Sequence, residues 1–289
     1  MKNIITIISV ALVLLPIGSC YYPIEPTVLI DHYPVKAGNR WSYTRTFSLH
    51  NFRPLHPGVS YQETSYVFQS TVEALGREVL QDTLHTWKFR TTETGGLNLQ
   101  PVVGYNFYRQ TRDALLSVAY KNPDLVAPLQ KSHVQYHYAG QSFETIAELL
   151  SSIEGNPHAV FGLSSDSLTY ETVPATAFAF PIGVGREWDY RMPLPPLNWR
   201  IHKKVVGTTI LHLPAGDFSS DKIQWFWDTR NNGTWDPKIS GFDYLSSRGL
   251  VKREFLLKDI VVSTPVYPDS AGLVDVKDEY SAISVTVHE

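Results

Sequence analysis

Cys20 is the single cysteine among 289 residues, so no intramolecular disulfide, CxxC redox pair or thiolate metal cluster can form. Its thiol can only react with an outside partner. The other residues with chemical potential are scattered. His133 and His137 are four apart, a spacing that makes a metal pair on a helix, but their neighbours alternate like a strand, which holds the two rings roughly 13 Å apart. Asp228, Asn232 and Asp236 echo a calcium loop, with Gly233 at the sixth place. Arg230 stands at the third ligand place, however, and Ile239 replaces the bidentate glutamate. Asn232-Gly233 alone is a strong hairpin signal, and that reading is preferred, with no metal expected. Ser219 to Lys222 matches S-x-x-K without companion motifs and reads as a polar loop after Phe218. Glu171, Glu187, Asp189 and Asp243 could supply paired carboxylates for glycoside hydrolysis, although sequence gives no separation. No nucleophile elbow, zinc helix, Walker loop or dinucleotide fingerprint is present, and no catalytic residue or cofactor is predicted.

Cys20 stands in a patterned context. Lys2 is followed by an apolar run from Ile4 to Leu15, too short to remain as a membrane span, then by Pro16 and Ile17-Gly18-Ser19-Cys20. This order resembles the signal peptide and lipobox of bacterial lipoproteins. The resemblance implies cleavage before Cys20, acylation of its thiol and usually of the new amino terminus, and firm attachment to the membrane by two or three acyl chains. Residues 1–19 are then signal peptide and 20–33 a lipidated tether. Tyr21 after the cysteine, in place of an inner-membrane retention aspartate, favours the outer membrane. Removing residues 1–19 takes away one lysine and leaves 24 basic against 28 acidic residues. That balance argues against nucleic acid as a partner.

The remainder must be mostly β. Aromatic residues reach 12% and charged residues only 18%, a composition suited to sheet surfaces. Period-two alternation recurs at 41–47, 65–72, 133–138, 203–213 and 283–287. A helical spacing over Phe143, Ile146, Ala147, Leu150 and Ile153, behind Ser142 as N-cap, predicts one helix covering an open sheet face.

Internal comparison shows a repeat. Pro34 to Tyr43 and Pro181 to Tyr190 share P-x3-G-x2-W-x-Y, with Gly38, Trp41 and Tyr43 answered by Gly185, Trp188 and Tyr190. Trp87 and Tyr108 are answered in order by Trp225 and Tyr244. Two related meanders, 34–120 and 181–262, are therefore expected within a β domain of 34–289, joined by the helix-containing segment 121–180. The fold class expected is an antiparallel half-barrel or sandwich. Trp and Tyr two apart share one face and can seal one end of a core.

The G-x-x-W-x-Y start, Leu213-Pro-Ala-Gly-Asp-Phe218 and Ser247-Arg-Gly-Leu-Val-Lys252 resemble a pattern of uncharacterised bacterial lipoproteins, similar in turn to the lipoprotein-carrier and DUF3108-like group. The resemblance implies an unclosed antiparallel barrel over helices, an apolar hollow and an envelope role without assigned catalysis. Ser247-Arg248 departs from the usual Gly-Val, and Asn51 to Gly58 reads as a loop insertion. The functions expected are membrane attachment with binding of an apolar ligand or lipid, or a scaffold for protein partners. Surface glycan binding or degradation is the alternative that the Trp and Tyr content suggests.

Overall fold

On the strand β1 (Arg40–Pro54), Trp41, Tyr43, Arg45, Phe47 and Leu49 are all buried, while the residues between them are at least partly exposed. Period-two alternation of this kind holds one face of a strand inward along its length. The computed structural model describes residues 29–96, 98–121, 134–154, 168–195 and 198–288. After β1 come β2 (Thr64–Leu80), β3 (Leu84–Gly95), β4 (Asn98–Gln110) and β5 (Ala114–Lys121). An excursion follows, made of β6 (Gln135–Tyr138), β7 (Gln141–Phe143) and α1 (Ile146–Ile153). The chain then forms β8 (Thr169–Ala179), β9 (Glu187–Arg191), β10 (Arg200–Leu213), β11 (Gly216–Asp228), β12 (Ile239–Ser246), β13 (Gly249–Ser263) and β14 (Gly272–Thr286).

The spatial order is β8-β5-β4-β3-β2-β1-β14-β13-β12-β11-β10-β9, with every named pair antiparallel. The decisive pair is β1 with β14, which runs from Arg40↔Thr286 to Pro54↔Gly272. It fuses the β1–β5 run to the β9–β14 run in one sheet, so the sandwich alternative falls. Register shifts in most of these ladders add bulges, which bend and twist strands. The sheet curls into a nearly closed barrel and goes further round than a half-barrel.

Among the described residues, the barrel lacks a backbone ladder only where β8 meets β9. There side chains make the join. Trp188 Nε1 donates to the Thr176 carbonyl at 3.0 Å, and Arg191 clasps Glu171 at 2.6 and 2.8 Å.

Inside, two apolar clusters lie at different heights. One holds Trp41, Tyr43, Phe89, Trp188, Val205, Leu245 and Val251, plugged by Tyr33 and Val35 from the segment leading into β1. The other holds Phe47, Phe68, Trp225, Trp227, Phe255 and the buried face of α1. The helix begins at Ile146, with Thr145 as the N-cap accepting from Glu148 N at 3.2 Å; the preceding residues pair with β6 as β7, so Ser142 is not the cap. The Trp227 indole donates to the Ile153 carbonyl at 2.9 Å and ties the helix end to the wall.

Three local expectations change. Residues 51–54 continue β1 beyond a bulge, with Asn51 at φ +58°, so the insertion begins only after Pro54. Ser219 to Lys222 lies within β11, where Ser220 and Asp221 are buried, and is strand rather than loop. Asn232-Gly233 sits in a ten-residue connection, 229–238, between β11 and β12, not in a two-residue hairpin. The buried carboxylate of Asp228 decided this, because it accepts from the backbone N–H groups of Arg230, Asn232 and Gly233 and organises a wider loop.

Candidate functional site

The inward stripe of four strands changes chemistry halfway along. On β1 the order is Tyr43, Arg45, Phe47; on β10 it is Val205, Lys203, Ile201; on β12, Leu245, Asp243, then Ile239; and on β13, Val251, Arg253, Phe255. In each case a charged residue separates members of the two apolar clusters. Asp278 on β14 and Glu93 on β3 join the same level. These positions form an ionic belt around the barrel's waist.

The belt is paired with close geometry. Arg45 makes a two-pronged contact with Asp278 at 2.7 and 2.8 Å, and its remaining nitrogen reaches Glu93 at 3.2 Å. Asp243 receives Arg253 at 2.6 Å and Lys203 at 3.2 Å. Lys203 Nζ also donates to the Ala177 carbonyl at 3.2 Å and lies 3.6 Å from the centre of the Trp225 ring. Buried ions of this sort are costly unless paired and hydrogen-bonded, and here they are both. Burial pushes the Glu93 carboxyl up to about 7, against the opposing pull of Arg45. Burial likewise brings the Lys203 ammonium down to about 8, despite Asp243. For Asp243 the burial effect is outweighed by Arg253 and Lys203, and its carboxyl is held below the usual range.

Beside the belt is a cavity of about 220 Å³. Its walls combine Arg45, Glu93, Lys203 and Arg253 with Tyr33, Tyr108, Phe178, Tyr190 and Trp225, and α1 and its C-cap contribute Ser151 and Glu154. The hollow is therefore amphipathic, where the resemblance implied an apolar one. Two of the lining residues each hold a sealed polar atom without a hydrogen-bond partner, the Trp225 indole Nε1 and the Ser151 hydroxyl, in residues that are each 2% exposed. Buried donors are rarely left in this state, and each unmade bond costs about 1–3 kcal/mol.

The residues singled out by sequence fall mostly elsewhere. Cys20 and His133 lie outside the described residues. His137 is on β6, bonded to Ser142 and Ser263 hydroxyls. Asp236 accepts from Tyr138, Thr229 and the Lys238 N–H, while the Asn232 side chain accepts from the Thr234 N–H. Among the described residues no three His, Cys, Asp or Glu side chains gather as a metal site. The four candidate carboxylates are each tied to a cation: Glu171 to Arg191, Glu187 to Lys204, Asp189 to Arg200, with the His202 ring beside it at 3.0 Å, and Asp243 to the belt. Trp41, Trp188 and Trp225 are buried, which removes them as an exposed stacking platform.

The motifs of the family resemblance meet in space. The Trp41 indole donates to the Arg248 carbonyl at 2.7 Å, and the Tyr43 hydroxyl to that of Leu250 at 2.7 Å. Gly249 has φ +101°, and a Cβ there would stand 2.7 Å from Trp41 Nε1, so only glycine permits the close approach. Phe218 packs in the same cluster, with the Arg248 guanidinium 5.8 Å from its ring centre.

No protein-family model matches the chain, and no curated protein matches it. Two solved structures are similar in outline. A Bacteroides fragilis protein provisionally named as exported, with a YmcC-like fold, is 10% identical at a TM-score of 0.38, covering 89% of this chain and 99% of its own. A Parabacteroides distasonis protein provisionally named a lipoprotein is 11% identical at a TM-score of 0.34, covering 88% and 97%. The architecture given above rests on the strand pairing of this chain.

Sequence reading missed the belt. Arg45, Lys203, Asp243 and Arg253 each occupy an inward place in an alternating stripe, and a charge at such a place was the available signal. From sequence alone Asp243 stands out only as half of a hydrolytic pair.

Proposed function

We propose that this chain is a non-enzymatic envelope lipoprotein, of the uncharacterised group its motifs resemble, whose barrel holds a small organic ligand at its waist. The anchor is Cys20, supported by the lipobox order of residues 2–20, and Tyr21 favours the outer membrane. The observation that carries ligand binding is the amphipathic cavity of about 220 Å³, where the ionic belt stands beside the rings of Tyr108, Phe178, Tyr190 and Trp225. The ionic belt makes a bare acyl chain a poor occupant of that level, since a lipid tail offers nothing to polar walls. Neutralised carboxylates and buried tryptophans count against glycan hydrolysis and glycan stacking. Full-length chain extracted from native membranes in mild detergent should carry a 1:1 small-molecule mass in native mass spectrometry. Its N-terminal peptide should be an acylated Cys20. Protein mass alone would remove the ligand, and an unmodified N-terminus before residue 20 would remove the anchor.

A further inference from the structure

The belt members differ in how far they open to the cavity. The side chains of Arg45, Glu93 and Lys203 are 3%, 1% and 1% exposed, and the carboxylates of Asp243 and Asp278 are sealed as well. Arg253 is the exception, with 22% of its side chain exposed on the wall of the cavity. Asp243 takes its Nε and Nη2 at 2.6 and 3.3 Å, and the Trp225 and Phe255 rings lie 5.3 and 5.7 Å from its guanidinium carbon. The third nitrogen, Nη1, has no hydrogen-bond partner among the described residues and is not sealed from solvent.

On the other side of the barrel is a second open group. β4 and β13 stand five places apart in the curled order of twelve strands. Asn106 on β4 is flanked by Tyr105 and Phe107, which pack into a separate cluster on the other face of the sheet. Period two therefore turns Asn106 inward, and it lines the same cavity. Its carboxamide also makes no hydrogen bond among the described residues and is open to solvent. Such a group both donates and accepts. The rings of Tyr108, Phe178 and Tyr190 add apolar faces to the wall.

The vacancy at Arg253 is one of hydrogen bonding, not of charge. Arg45, Lys203 and Arg253 face Asp278, Glu93, Asp243 and, at the C-cap of α1, Glu154, which acts on both Lys203 and Arg253. An anionic guest would add another negative charge where carboxylates already outnumber cations, and a cationic guest would meet a guanidinium. Neither is favoured in a buried space. Resting on the ligand-binding reading above, we propose that the cavity takes a small uncharged molecule with a flat apolar body, an acceptor oxygen on Arg253 Nη1 and a hydroxyl or amide group on Asn106. Para-substituted aryl amides and ketones have this chemistry. Water is the competing occupant, since a water site needs only roughly 10–15 Å³.

Four probes of nearly equal shape separate the cases: 4-hydroxybenzamide, 4-hydroxybenzoate, 4-hydroxybenzylammonium and p-cresol. Full-length chain in detergent micelles, labelled with 5-fluorotryptophan, reports occupancy through the ¹⁹F resonance of Trp225, which Trp225→Phe identifies. The amide should shift that resonance saturably at 1:1 stoichiometry and bind about ten-fold more tightly than p-cresol, the lower end of what a hydrogen bond to a charged donor is worth. Both ions should bind more weakly than the amide. Arg253→Lys keeps a cation beside Asp243 but removes Nη1, and it should bring the amide down to the affinity of p-cresol while leaving p-cresol unchanged. If that variant fails to fold, the amide and p-cresol compared on the unaltered chain read the same contact. Asn106→Ala should weaken the amide by about three- to ten-fold. Tighter binding of either ion overturns the uncharged class, and p-cresol equal to the amide overturns the Arg253 contact; both leave a ligand-binding barrel standing. Unchanged amide affinity in Asn106→Ala overturns the Asn106 contact. If no probe binds, the molecule carried by chain from native membranes decides: an uncharged oxygen acceptor supports the proposal, any other molecule overturns it, and none at all overturns both readings.

Discussion

Between Pro34 and Tyr43, Gly38 has φ +89°, its N–H donates to the Ala74 carbonyl, Ala74 N–H donates to Asn39, and Asn39 N–H closes the turn on Lys36. Between Pro181 and Tyr190, Gly185 has φ +87°, its N–H donates to Val205, Val205 N–H donates to Arg186, and Arg186 N–H closes on Gly183. Each bond in one turn has its counterpart in the other. Past the turns the two regions part. Trp41 and Tyr43 lie on β1, paired on both sides, whereas Trp188 and Tyr190 lie on five-residue β9, paired only with β10. The next inward place is Arg45 of the belt in the first region. In the second the ladder shifts by one opposite Ile201 and His202, so the next buried place is Arg191, which pairs with Glu171 at the seam and not in the belt, and Met192 beyond it is half exposed. The lesson is that a turn motif repeats with its local hydrogen bonds, while the charged belt depends on where in the barrel the motif is placed.

The comparison can be broken most forcefully at Arg45. Arg45→Ala should cost about 3–5 kcal/mol, because Asp278 is left buried without its partner. Met192→Ala should shift the urea midpoint only slightly, and equal losses at both places would show that the belt is not specific to the first region. Trp41→Ala should cost roughly 3–5 kcal/mol in the same assay. Trp188→Ala should cost less, since the seam beside β8 has no backbone ladder and can relax around the gap. The turns should behave alike. Gly38→Ala and Gly185→Ala each force a side chain into positive φ, and a Cβ meets nothing closer than 3.7 Å at either, so both should lose about 1 kcal/mol.

The last expectation concerns pH. Glu93 has a folded-state value of about 7 against an ordinary 4.5, so the folded chain holds more protons than the unfolded one between those values. Stability should therefore fall as pH rises from about 4.5 to 7. Glu93→Gln should flatten that slope in thermal unfolding, with Arg45 still held by Asp278. An unchanged slope would assign the dependence to other groups.

Alternation, punctuation and the repeat were enough to predict an antiparallel β protein with one helix, because strand burial is written at period two and turn geometry at single glycines. The lipobox reading of Cys20 likewise needs only local order. The near closure of the barrel was not legible, since it depends on Arg40–Pro54 finding Gly272–Thr286, more than 200 residues apart in the chain. The cavity was hidden for the same reason. Lys203, Asp243 and Arg253 are ordinary charges in sequence, and only the curled sheet turns them inward to one level. Trp225 Nε1 and Ser151 Oγ are left without partners only once β11 and α1 pack into one cluster. Local conformation follows from neighbouring residues, but which polar groups stay unsatisfied is decided by everything else that packs around them.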